Sequence, residues 1–143
     1  MDLVDPTKKM SKSAENKKGV IYLLDSENDI RKKIMSATTD SEMSIKYDPE
    51  NKPGISNLIS IYNCLTGLSI SEIEKKYENS NYGTFKKDVA DITVNTLIPI
   101  QKRYYEILNS DELDKILDSG RDKTLKIAQE KYELLKEKVG LHR

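Results

Sequence analysis

From Ser26 onward, apolar residues return every three or four positions, the period of helices with one buried face, and no segment sustains the two-residue alternation of a half-buried strand. The pattern predicts an all-α chain, a helical bundle built after residue 25. Ser26 is placed to cap a helix carrying Ile30, Ile34 and Met35, with Glu27 and Asp29 in the first turn, where negative charge suits the helix dipole. That helix should end near Thr38. Thr39 to Lys52 is polar and turn-rich, and the Asp48-Pro49 step keeps its backbone out of helix. Ile55, Leu58, Ile59, Tyr62 and Leu65 predict a core helix stopped by Gly67, and Ser69 with Glu72 forms a capping box for a short helix ending near Tyr77. Asn79 to Gly83 breaks the pattern.

A long helix then carries Phe85, Val89, Ile92, Leu97, Ile100, Tyr104 and Leu108, and Pro99 inside it should kink or split it. Ser110 should cap a short helix with Leu113, Ile116 and Leu117, stopped by Gly120. The last helix carries Leu125, Ala128, Tyr132, Leu135 and Val139 and ends at Gly140. The expected core gathers Ile55, Ile59, Tyr62, Ile92, Leu117 and Leu135.

Composition agrees with a solvated helical domain. The chain has 143 residues, of which 36% are hydrophobic and 34% charged, against a typical charged share of about 25%. Lys plus Arg and Asp plus Glu both total 24, so the charges cancel and a chain held to nucleic acid by bulk charge is excluded; such a partner must meet a local patch. Cys64 is the one cysteine and His142 the one histidine, which leaves no disulfide framework, no Cys/His metal site and little basis for a histidine-assisted nucleophile. The longest uncharged stretch, Pro53 to Ser71, is interrupted by Gly54, Gly67 and several Ser, Asn and Thr residues, too polar for a membrane span. With no apolar signal segment at the start, the reading is cytoplasmic, with no membrane partner.

Residues 1–25 stand apart from the helical pattern of 26–143. Lys8, Lys9, Lys12, Lys17 and Lys18 face a single acid, Glu15, between positions 7 and 18. Within this segment lies Lys9-Met10-Ser11-Lys12-Ser13. Two ammonium groups three positions apart, with small hydroxyl residues between and after them, suit a mobile loop folding over a polyphosphate. The lysines supply charge and the serines supply hydrogen bonds without bulk. On charge alone, a solvated basic loop is the more ordinary reading.

The five residues match without substitution the KMSKS signature of class I aminoacyl-tRNA synthetases, and Asp5-Pro6-Thr7-Lys8 looks like the tryptophanyl branch. The resemblance to tryptophanyl-tRNA synthetases continues in order and spacing through Ile34-Met35-Ser36-Ala37-Thr38-Thr39-Asp40-Ser41, Tyr47-Asp48 and Lys52-Pro53-Gly54-Ile55-Ser56-Asn57-Leu58. It extends to Tyr82-Gly83-Thr84-Phe85-Lys86, Pro99-Ile100-Gln101, Gly120, Ala128 and Gly140-Leu141, so it covers essentially the whole chain. Ala14, where many members carry an acid, is a departure just outside the signature.

The resemblance implies a C-terminal portion: the KMSKS loop followed by a helical anticodon-binding domain. The Rossmann-type half with its HIGH-like motif and tryptophan pocket has no counterpart here. It implies ATP and Mg2+ as substrates of the full enzyme, tRNA(Trp) as partner and a homodimeric parent, with the fragment alone inactive. Lys9 and Lys12 would be the catalytic pair, and Lys9, Met10, Ser11, Lys12 and Ser13 the ATP-binding loop, Met10 serving as an apolar anchor. For RNA, Lys102, Arg103 and Tyr105 form the locally plausible surface, where cations meet phosphate and a tyrosine stacks on a base. Tyr104 beside them fits the apolar stripe, and the charges there could simply be solvated. Arg121 to Arg143 adds seven basic residues against four acids. The competing class is a free-standing helical RNA-binding or protein-interaction module without catalytic activity.

Overall fold

A computed structural model describes residues 1–141; His142 and Arg143, the single histidine and the last of the basic residues counted above, lie outside the described residues. Among the described residues the regular structure is entirely helical: a 3-10 turn at Lys17–Gly19, then α1 (Glu27–Met35), α2 (Pro53–Thr66), α3 (Ile70–Lys76), α4 (Tyr82–Leu108) and α5 (Glu112–Val139). The chain forms two compact units, Met1–Gln101 and Lys102–Arg143. Leu3 of the opening segment is buried in the same cluster as Ile30, Ile55 and Phe85.

The start and stop signals act as their chemistry requires. The Ser26 hydroxyl accepts from the Asp29 N–H at 3.1 Å and opens α1. The Ser69–Glu72 capping box opens α3, with the Glu72 carboxylate accepting from the Ser69 N–H at 2.8 Å. Gly67, at φ 75°, closes α2 in the left-handed conformation that a side chain would strain. Pro53 sits in the first turn of α2, where its missing N–H leaves no bond unmade.

In the first unit, Ile30, Ile34, Ile55, Leu58, Ile59, Ile73, Phe85, Val89 and Val94 are buried almost completely, so four helices contribute to one core. Tyr62, Tyr77 and Phe85 form an aromatic cluster, with Tyr77 and Phe85 centroids 4.8 Å apart and edge-on. Ile55, Ile59 and Tyr62 are core as expected, and Ile92 packs partly buried against them.

Three expectations are corrected. Leu117 is 59% exposed and Leu135 60% exposed, so neither is core; α5 buries no residue. Gly120 does not stop a helix, because α5 runs through it from Glu112 to Val139. One glycine costs a helix only about 1 kcal/mol relative to alanine, which the helix-favouring residues on both sides offset. Pro99 does not split α4, which continues to Leu108. The Asn95 carbonyl that Pro99 cannot satisfy belongs to an exposed residue, where water can reach it. The apolar stripe of α4 is core only as far as Leu97; Ile100, Tyr104 and Leu108 are exposed.

Candidate functional site

The Lys9–Ser13 loop rises from a closed base. The Asp2 N–H donates to the Lys8 carbonyl at 2.8 Å and the Leu3 N–H to the Gly19 carbonyl at 2.9 Å, so the outgoing and returning legs are tied to the same short segment. Gly19 leaves room there: a Cβ would lie 2.1 Å from both carboxylate oxygens of Asp2, one of which would have to shift although backbone N–H groups hold it. Asn16 accepts from the Lys18 N–H at 3.1 Å and caps the 3-10 turn on the returning leg.

Inside the loop, Ala14 N–H donates to the Ser11 carbonyl at 3.2 Å, and the Ser11 and Ser13 hydroxyls lie 3.1 Å apart. Met10 is half-buried and packs against the hydrophobic core, which anchors the loop while its neighbours face water. The lysines divide into two kinds. Lys8 pairs with Asp5 at 2.8 Å, and that ammonium, with the Thr7 hydroxyl, holds the Asp5 carboxyl down at about 2. Lys9 and Lys12 are exposed and, among the described residues, take part in no ion pair. Their charge is available to an anion. An exposed ammonium pair with two adjacent hydroxyls can stabilise negative charge.

The segment leading into the loop is held in turn by Asn57 of α2 and by Thr38, just beyond α1. Asn57 Nδ2 donates to the Met1 and Asp2 carbonyls at 3.1 and 3.2 Å, and the Thr38 N–H and hydroxyl donate to the Leu3 and Val4 carbonyls at 2.8 Å each. Reading the sequence alone assigned no role to Asn57 or Thr38. The available signal was a buried amide in the middle of an apolar helical run.

Of the RNA-facing candidates, Lys102, Arg103 and Tyr105 are all exposed at the end of α4. Arg103 is committed to Glu106 at 3.5 Å and to Glu112. Tyr104 and Tyr105 stand edge-on, centroids 5.2 Å apart, and Tyr104 is 42% exposed instead of joining the core. Among the described residues there is no cluster of three or more His, Cys, Asp or Glu that could hold a metal ion, and no helix is long and apolar enough to cross a membrane.

A tied loop presenting free lysines ahead of a helical unit is consistent with the sequence profile that matches residues 1–98, described as tRNA synthetases class I (W and Y). The chain belongs to that family. Among its relatives, it is 52% identical over 143 residues to a tryptophan–tRNA ligase of Oceanobacillus iheyensis, covering all of this chain and 44% of that protein. It is 50% identical over 143 residues to a tryptophan–tRNA ligase of Bacillus subtilis, covering 43% of it. A crystal structure of tryptophanyl-tRNA synthetase from Mycoplasma pneumoniae superposes with a TM-score of 0.79 at 32% identity, over 99% of this chain and 43% of that one. The chain therefore spans less than half the length of the curated relatives it matches.

Proposed function

We propose that this chain is the C-terminal portion of a tryptophan–tRNA ligase, supplying the KMSKS loop for tryptophan activation and a helical part for tRNA recognition. The observation that carries the reading is the pair of unpaired loop lysines, Lys9 and Lys12, in a chain about half identical along its whole length to tryptophan–tRNA ligases. In the activation step, a tryptophan carboxylate oxygen attacks the α-phosphorus of ATP and the bond to pyrophosphate breaks. Negative charge grows on the leaving pyrophosphate. Lys9 and Lys12 stabilise it electrostatically, and Ser11 and Ser13 donate hydrogen bonds to phosphate oxygens.

Magnesium accompanies ATP and neutralises phosphate charge. The loop's ammonium groups suit phosphate oxygens and not a cation, and no residue of this chain is assigned to the ion. The same reading takes a Rossmann-type half outside this chain as the source of the nucleotide and tryptophan pockets. It also takes tRNA(Trp) as partner, a homodimeric parent and a cytoplasmic location. Lys102 and Tyr105 are the RNA contacts it favours, with Arg103 available only by leaving Glu106 and Glu112. Leu23 and Leu24, 61% and 48% exposed just after the loop, are apolar surface for the missing half to cover.

The test is amino-acid choice by the full-length polypeptide that contains this chain. It should charge tRNA(Trp) with tryptophan and leave tyrosine uncharged; charging with tyrosine, or with neither, overturns the reading.

A further inference from the structure

The first four residues form a rail with two working edges. Along one edge, four consecutive carbonyls are each taken by a donor from the body of the first unit: Met1 and Asp2 by Asn57 Nδ2, Leu3 by the Thr38 N–H and Val4 by the Thr38 hydroxyl. Along the other edge, the Asp2 and Leu3 N–H groups hold Lys8 and Gly19, the two feet of the Lys9–Ser13 loop. The Asp2 carboxylate accepts from the Val4 and Asp5 N–H groups at 2.7 and 2.9 Å, which fixes the curve between the edges.

Asn57 is 7% exposed. A buried carboxamide must find partners or lose stability, and all of those recorded for Asn57 lie on the rail: Oδ1 accepts from the Met1 nitrogen at 2.9 Å and Nδ2 serves the two carbonyls. An apolar side chain would satisfy α2 packing alone, so the amide is there for the rail. Leu3, 1% exposed, pins the middle of the rail in the core.

We propose that Asn57 and Thr38 are positioning residues that fix where the two-lysine loop stands, acting on catalysis through the rail and touching no substrate. This rests on the reading that Lys9 and Lys12 act in adenylate formation. Because an electrostatic contact made in the transition state decays with a displacement of an ångström or less, freeing the rail lowers the chemical rate without altering the tryptophan pocket.

The test is a double-mutant cycle in the full-length polypeptide, read by tryptophan-dependent ATP–pyrophosphate exchange. Asn57→Leu and Thr38→Val should each lower kcat by roughly fivefold to twentyfold with KM for tryptophan unchanged. Combined with the Lys9→Ala/Lys12→Ala pair, each should cost much less than it does in the parent, because the charges that the rail places are then gone. Thr38→Ser, which keeps the hydroxyl, should retain the parental rate. If Asn57→Leu fails to fold, Thr38→Val at an exposed position carries the same cycle. Losses that multiply in full with the Lys9→Ala/Lys12→Ala pair, or equal losses in Thr38→Ser and Thr38→Val, would overturn the positioning role while leaving the loop reading intact. A Lys12→Ala variant as fast as the parent would remove both.

Discussion

The Tyr77 hydroxyl donates to the Asp88 carboxylate at 2.6 Å, joining the end of α3 to the first turns of α4 at the edge of the aromatic cluster. The Tyr62 hydroxyl lies 3.2 Å from the Tyr77 hydroxyl and accepts from Lys76 Nζ at 2.8 Å. Burial, reinforced by the Asp88 and Tyr62 hydrogen bonds, pushes the Tyr77 phenol above its usual range, so it remains a donor at every ordinary pH. Tyr77→Phe keeps the ring and removes the bond to Asp88 together with the longer one to the Tyr62 hydroxyl. Urea denaturation should record a loss of about 1.5 kcal/mol, the scale of a hydrogen bond to a charged group. A variant as stable as the parent would mean the network contributes nothing.

A second carboxylate ties the loop after α1 to the start of α4. Tyr82 donates to both oxygens of Asp40, at 2.7 and 2.8 Å. Burial raises the Asp40 pKa, but the Tyr82 hydroxyl, backbone N–H groups and Lys52 more than offset it, leaving the folded value below the ordinary 3.8. The stabilisation is therefore present above about pH 4 and is lost as pH falls through the folded pKa. Tyr82→Phe should cost about 1 kcal/mol at neutral pH, and the gap from the parent should narrow in acid. Stability curves measured from pH 7 to pH 3 check this; a gap that widens in acid would contradict it.

Two glycines should respond to alanine with opposite signs. At Gly19 the added Cβ meets the Asp2 carboxylate at 2.1 Å, and that carboxylate is held by two backbone N–H groups and cannot easily move. Gly19→Ala should destabilise by about 1–3 kcal/mol. Gly120 has nothing within 4 Å of its Cβ position and lies inside α5, so Gly120→Ala should stabilise the helix by up to about 1 kcal/mol. Thermal melts of both variants decide it.

Most local signals were legible in the sequence and distant packing was not; the exceptions are Ser110 and Gly120, since the N-cap of α5 is Asp111 and the helix runs through Gly120. Ser26, the Ser69–Glu72 box, Gly67 and Gly140 mark ends that depend on a few adjacent residues, and they lie where the pattern put them. The KMSKS loop was visible as a motif. Its support was not, because Asn57 and Thr38 reach it across 55 and 34 residues through backbone carbonyls, which carry no sequence signature. Helical period identifies an apolar face but not what covers it, and so Leu117 and Leu135 read like Ile59.

Stability should separate them. Ile59 is wholly buried, and Ile59→Ala should cost about 2–5 kcal/mol, the range for emptying a packed site. Leu135→Ala, at a position 60% exposed, should cost less than about 1 kcal/mol. Denaturation midpoints of equal size for the two variants would contradict the burial described for α5.

If the loop stabilises charge in the transition state of tryptophan activation, as we propose, Lys12→Ala in the full-length polypeptide reports it most directly. Pre-steady-state adenylate formation should slow by about 10²- to 10³-fold, the scale of losing one preorganised contact of about 3–4 kcal/mol, while the tryptophan dissociation constant barely changes. A parental rate in Lys12→Ala, or weakened tryptophan binding with chemistry unslowed, would contradict it.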